Sequence, residues 1–169
     1  ISDDEDLSSD EKVVAIKLLA SACGKNGMVY GQFLDIESES KSIDKQSIEN
    51  IHALKTGKLI ECSVMYGQIG NPEKNVKKVL KSYAKKIGLA FQIKDDILEV
   101  TSNKETLGKN TNSDQKNHKS TYANILGIDK AKEKTMSLCE DAIGNLETLC
   151  SNKVNMLIEL AKYIAYREK

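Results

Sequence analysis

Apolar residues recur at intervals of three and four along most of the chain, the spacing of amphipathic helices, and no stretch alternates with a period of two. Ser8-Ser9-Asp10-Glu11 opens the first helix as a capping box, with Ser8 at the N-cap and Glu11 reaching back. Val13, Val14, Ile16, Leu18, Leu19, Ala20 and Ala22 follow. Gly24, Gly27 and Gly31 then recur at three and four, with Asp35 one turn on and Gln32 on the adjacent face. A helical glycine costs about 1 kcal/mol relative to alanine. Such a stripe marks either close helix packing, with Asp35 as a cap, or the approach of a ligand. After the polar Ser38 to Ser42, Asp44 is placed to cap a second helix with Ile48, Ile51, Leu54, Ile60, Val64 and Met65 as its apolar positions. His52, Lys55 and Thr56 are neighbours on it, and Gly57 follows. Gly70-Asn71-Pro72 is a turn, and a third helix runs from about Glu73 to Val100. Ser120-Thr121-Tyr122 begins a short helical piece ended by Gly127; Asp129 is placed to cap a helix to about Leu149, and Asn152 the last one. The fold class is all-α, with residues 1–169 as a single domain.

The third helix carries the most pointed pattern. Wound at about 100° per residue, Gly88 to Val100 gathers Gln92, Asp95, Asp96 and Glu99 on one side, with Gly88 in the same arc. The rest of the wheel is apolar except for Lys94, which predicts an interior helix with an acidic stripe facing inward. Buried carboxylates need neutralising. A divalent metal would do it; the alternative is a solvated acidic edge. The stretch that follows, Thr101 to Lys119, is nearly devoid of apolar residues and holds Lys104, Lys109, Asp114, Lys116, His118 and Lys119. A loop of that length is a functional lid or is disordered; its lysines, directly after the acidic stripe, favour a lid over phosphates.

Composition narrows the chemistry. The chain has 169 residues with 25 basic and 25 acidic side chains, so no overall field points to nucleic acid or an anionic membrane. Arg167 is the only arginine, which leaves lysines to hold any phosphate. Cys23, Cys62, Cys139 and Cys150 form no Cys-x-x-Cys pair and read as reduced core thiols of a cytoplasmic protein. No apolar run approaches a membrane span.

Taken together, Gly31-Gln32-x-x-Asp35, Lys55-Thr56-Gly57, Phe91-Gln92-x-x-Asp95-Asp96-x-x-Glu99, Leu107-Gly108-Lys109 and Lys119-Ser120-Thr121-Tyr122 resemble the trans-isoprenyl diphosphate synthases, in particular the bacterial farnesyl diphosphate synthases (geranyltranstransferases). Order and spacing match over essentially the whole chain. The resemblance implies an isoprenoid synthase-type helical bundle around a central cavity, and a homodimeric enzyme. It implies Mg2+-dependent head-to-tail condensation of isopentenyl diphosphate with an allylic diphosphate, dimethylallyl or geranyl, through an allylic carbocation. Carried over by position, Asp95, Asp96, Glu99 and Asp35 belong to the metal cluster. Lys55, Lys109 and Lys119 hold the allylic diphosphate, Thr56 and Gln92 lie near the cation, Gln32 lies beside the metals, and Asp114 belongs to the lid.

Two departures stand out. The last position of the acidic motif is usually Asp and here is Glu99. The family's first Asp-rich motif, its basic residues for isopentenyl diphosphate and its chain-length determinants have no counterpart in this sequence. The chain therefore resembles the carboxy-terminal half of a synthase, and by itself is expected to be inactive, with apolar faces left for something else to cover. The alternatives are a geranylgeranyl diphosphate synthase and a non-catalytic, synthase-like regulatory subunit. Retention of Asp95, Asp96, Lys55, Lys109 and Lys119 weighs against the subunit.

Overall fold

The computed structural model describes residues 1–39, 41–106 and 121–168, with backbone alone for 102–106. Its helices are α1 (Ser9–Cys23), α2 (Met28–Glu37), α3 (Lys45–His52), α4 (Lys58–Tyr66), α5 (Lys74–Thr106), α6 (Tyr122–Leu126), α7 (Ile128–Glu147) and α8 (Asn155–Tyr166). A single π-helical turn, Ala53–Gly57, joins α3 to α4, and a 3-10 turn, Asn152–Val154, leads into α8. There is no strand among the described residues, as the all-α reading requires.

The 33-residue α5, about 50 Å long at 1.5 Å per residue, is the axis of the bundle. Its buried positions Leu80, Tyr83, Ala84, Ile87, Ala90, Ile93 and Ile97 recur at three and four and are almost fully withdrawn from solvent. Against them α7 sets Ala131, Leu138, Cys139, Ala142 and Leu146, while α8 contributes Ala161 and Ile164. Tyr83 is fully buried, and its hydroxyl donates to the Leu157 carbonyl at 2.7 Å. That bond fixes α8 against α5 and satisfies an otherwise orphaned polar group. At the other side, the Tyr66 hydroxyl donates to the Ala15 carbonyl at 3.1 Å and ties α1 to α4.

Several helix ends follow the sequence reading. The Ser8–Glu11 capping box forms in full, and Asp44 accepts from the Ser47 amide at 2.7 Å. Others differ. Asp129 is not a cap but lies in the first turn of α7, because Gly127, at φ +84°, ends α6 and starts α7 without an intervening loop. There a carboxylate still suits the positive end of the helix dipole. Asn152 yields its role to Ser151, whose side chain accepts from the Lys153 amide. The third helix also runs past Val100 to Thr106, into the stretch read as a loop; the rest of that stretch lies outside the described residues. Nor are Gly24, Gly27 and Gly31 a stripe on one helix. Gly24 ends α1, Gly27 starts α2, and only Gly31 is inside a helix.

Not every apolar position is buried. Val13, Val14, Ile16 and Leu19 of α1 and Val29, Tyr30, Phe33 and Ile36 of α2 face solvent, with the Tyr30 and Phe33 rings stacked at 6.2 Å. Cysteine burial is also uneven: Cys62 and Cys139 are core residues, Cys23 is half-buried, and Cys150 is exposed, contrary to a core role for all of them.

Candidate functional site

The site is assembled where the π-helical turn meets α2 and α5. A π turn widens the helix by one residue and re-aims the side chains on it. Two glycines make the meeting possible. A Cβ at Gly31 would lie 2.2 Å from the Lys55 backbone nitrogen, and one at Gly88 would lie 3.0 Å from the Gly57 Cα. With hydrogen in those places, three backbones close on one another, and the Lys55-Thr56-Gly57 segment is clamped between α2 and α5. Gly31 is thus a packing glycine, and Asp35 is not a cap: its Oδ2 accepts from Lys55 Nζ at 2.6 Å. The pair is partly shielded, with the Asp35 side chain 13% exposed.

Across from it stands the acidic stripe of α5. Ile93 and Ile97, on the far side of the helix, are buried in the core. Gln92, Asp95 and Asp96 are half-buried and Glu99 is exposed. The stripe therefore lines an open cleft rather than a closed interior, since α7 and α8 cover only the apolar arc of α5. The cleft is lined by Asp35, Lys55, Gln92, Asp96, Glu99 and Thr121, among others, with about 50 Å³ free. That is room for an ion and about one or two waters, not for a prenyl chain.

The two consecutive aspartates are held differently. Asp96 Oδ2 accepts from the Tyr122 amide at 2.7 Å and stands 3.8 Å from His52 Nε2. Tyr122 is itself buried, and its hydroxyl donates to Glu49 Oε1 at 2.8 Å. Burial, and then the Glu49 bond, push that hydroxyl well above the usual tyrosine range, so it stays a neutral donor. Asp95 Oδ2 accepts from Gln92 Nε2 at 3.0 Å, while Oδ1 is ion-paired with Arg167.

Of the residues the sequence singles out, the structure brings Asp35, Lys55, Gln92, Asp96 and Glu99 to one cleft. Asp95 is the immediate neighbour of Asp96, turned toward the end of α8. Thr56 is half-buried next to Lys55, and Gln32 is exposed on α2; neither belongs to the cleft lining. Lys109, Lys119 and Asp114, with the lid they would form, lie outside the described residues. Sequence reasoning missed Arg167 and Tyr122 as partners of the aspartates, and Glu49 as the acceptor behind Tyr122. No local signal could reveal Arg167, which is 72 residues from Asp95.

Among the described residues, no three His, Cys, Asp or Glu side chains converge as a ready-made metal cage. Magnesium does not need one. It takes hard oxygen donors and is commonly held by one or two carboxylates, with phosphate oxygens and water completing the shell. Asp96, Asp35 and Asp95 are donors of that kind, with a lysine alongside for an anion, and they fit such an ion.

Comparison with known proteins identifies the family. A protein-family model described as polyprenyl synthetase matches residues 5–161. The chain belongs to the polyprenyl synthetase family. It is 40% identical over 172 residues to the farnesyl diphosphate synthase of Escherichia coli K12, covering 99% of this chain and 58% of that protein. It is also 40% identical to geranylgeranyl pyrophosphate synthase 4 of Arabidopsis thaliana, over 96% of this chain and 45% of the relative. Among solved structures, an FPP/GFPP synthase from Zymomonas mobilis superposes with a TM-score of 0.79 at 32% identity, over 93% of this chain and 52% of the other. A geranyltransferase from Helicobacter pylori complexed with magnesium and isoprenyl diphosphate gives 0.74 at 30%, over 94% and 52%. This polyprenyl synthetase chain thus has the isoprenoid-synthase helical fold and spans about half the length of the curated relatives it matches. No helix among its described residues is long and apolar enough to cross a membrane.

Proposed function

We propose that this chain supplies the diphosphate-ionising side of a prenyltransferase that joins isopentenyl diphosphate head-to-tail to an allylic diphosphate. Dimethylallyl and geranyl diphosphate are the substrates in view, with farnesyl diphosphate as product. The observation that carries the reading is the Lys55–Asp35 contact at 2.6 Å, facing Gln92, Asp96 and Glu99 across one cleft. A cation and several anions are held there by three packed backbones before any substrate arrives, which is the preorganisation that ionisation of a carbon–oxygen bond requires.

Magnesium, when bound, would neutralise the departing diphosphate without proton transfer; Asp95, Asp96 and Asp35 are the residues that would hold it, with Glu99 more loosely placed at the exposed end. Lys55 donates to a diphosphate oxygen in exchange for Asp35, and Lys109 and Lys119 extend that cationic set. Gln92 is the cleft residue that faces the allylic carbons as charge develops there; Thr56, beside Lys55, and Gln32, on the metal side, support it from outside the cleft lining. Condensation then proceeds by attack of the isopentenyl double bond on the allylic cation, followed by loss of a proton. The working enzyme is a cytoplasmic homodimer.

The reading is tested by titrating geranyl diphosphate and Mg2+ together into the chain and its Asp96→Asn variant by calorimetry. Metal-dependent binding that the variant lowers by about tenfold or more supports it. Binding by the intact chain that ignores metal, or that the variant retains in full, would defeat it. Incubated with geranyl and isopentenyl diphosphates, residues 1–169 alone are expected to give no turnover, because a single acidic stripe cannot balance several metals and a diphosphate.

A further inference from the structure

Arg167, the sole arginine, lies just past the end of α8, yet its side chain is only 11% exposed. Its guanidinium sits over the Phe91 ring at 4.3 Å, and Nη2 donates to the Phe91 carbonyl at 3.3 Å and to Asp95 Oδ1. One residue before Asp95, Lys94 Nζ donates to the Ala165 carbonyl at 3.1 Å. The end of α8 is therefore fastened to two consecutive residues of α5, Lys94 and, in the acidic stripe, Asp95. Arg167 Nε is buried with no hydrogen-bond partner among the described residues. A cation in such a place has been taken out of water with one donor unsatisfied. Its stacking and its ion pair are what hold it there.

Asp95, Asp96 and Glu99 follow one another within about one helical turn, so the stripe carries like charges at close range. We propose that Arg167 is the resident counter-ion of the stripe: a positioning residue that neutralises and holds Asp95, and thereby lowers the affinity of the site for a divalent cation. The inference rests on the metal reading given above. A dication approaching Asp95 meets a fixed positive charge on the same carboxylate, and the stacked guanidinium, unlike a solvated lysine, has little freedom to withdraw. In this arrangement the enzyme trades metal affinity for a site that is stable when empty. Metal is then retained chiefly when a diphosphate brings further anionic oxygens.

Mn2+ alone is the probe, followed through the electron paramagnetic resonance signal of the free ion, in the full chain and in Arg167→Gln and Arg167→Lys variants. Arg167→Gln is expected to bind Mn2+ at least about fivefold more tightly than the parent, and Arg167→Lys, which keeps the charge, to fall close to the parent. Equal or weaker binding by Arg167→Gln overturns the counter-ion role and leaves Arg167 as a structural anchor. If Arg167→Gln fails to fold, Phe91→Leu, which loosens the stack while keeping every charge, should also tighten Mn2+ binding; an unchanged affinity there overturns the proposal. No Mn2+ binding by any of the proteins removes the metal reading itself and the inference with it, a result distinct from metal binding that Arg167 does not affect.

Discussion

Gly31 and Lys55 are in backbone contact: a methyl group on Gly31 would fall 2.2 Å from the Lys55 nitrogen and 2.6 Å from its Cα. Neither atom belongs to a flexible side chain, so Gly31→Ala must push α2 away from the π-helical turn. We expect it to destabilise the fold by about 1–3 kcal/mol and to separate Lys55 from Asp35. Gly144, on the exposed side of α7, has nothing within 4 Å of a Cβ. There the same substitution should stabilise by about 0.4–1 kcal/mol. Denaturant midpoints of the two variants should move in opposite directions.

The adjacent carboxylates of α5 are expected to respond unequally to substitution. Asp95→Asn and Asp96→Asn each remove an anchored oxygen donor and should lower the turnover of an active synthase carrying this chain by orders of magnitude. Glu99→Asp, at an exposed position, should be mild. Steady-state rates as a function of Mg2+ concentration check this, and a near-normal rate for Asp95→Asn would refute its role as a ligand.

Thiol reactivity should follow burial. Cys150 is exposed, whereas Cys139 is 2% exposed and burial pushes its thiol up to about 11. Near pH 8 a disulfide reagent should modify Cys150 quickly and Cys139 only after denaturant is added. Mass spectrometry of the partly modified chain gives the order, with Cys62 expected to follow Cys139.

In acid the helix starts should loosen first. The Ser8 hydroxyl and amide hold the Glu11 carboxyl below its usual range, and the Ser47 amide does the same for Asp44. A carboxylate lowered in the folded state stabilises it above the unfolded value, about 4, and that stabilisation is lost as pH falls through the lower folded value. Protection of the Ser8 and Ser47 amides, taken relative to their intrinsic exchange at each pH, should fall over that window, ahead of protection in α5.

The apolar faces of α1 and α2 make a further expectation. Val13, Ile16, Val29, Phe33 and Ile36 are each at least half exposed, a grouping larger than soluble surfaces usually leave open. The purified chain should bind a hydrophobic dye while retaining its helical circular dichroism. Phe33→Ser should reduce the dye signal without shifting the thermal midpoint.

Helix identity and several helix ends were legible in the sequence because their causes are local. The Ser8–Glu11 box acts across three residues, Asp44 and Ser47 likewise, and the spacing of Ile87, Ala90, Ile93 and Ile97 is set by the pitch of one helix. The acidic stripe was legible for the same reason. Which cation each carboxylate meets was not, because that depends on how separate helices cross. Lys55 reaches Asp35 across 20 residues only because Gly31 lets the π-helical turn come close. Arg167 reaches Asp95 across 72 only because Tyr83 and Lys94 seat α8 on α5. The periodicity of Val13 and Ile16 or of Val29 and Phe33 predicts apolar faces, but only packing decides whether a face is covered, and here these are not. Spacing within a helix is a property of the backbone's own geometry; burial and pairing belong to the assembled helices.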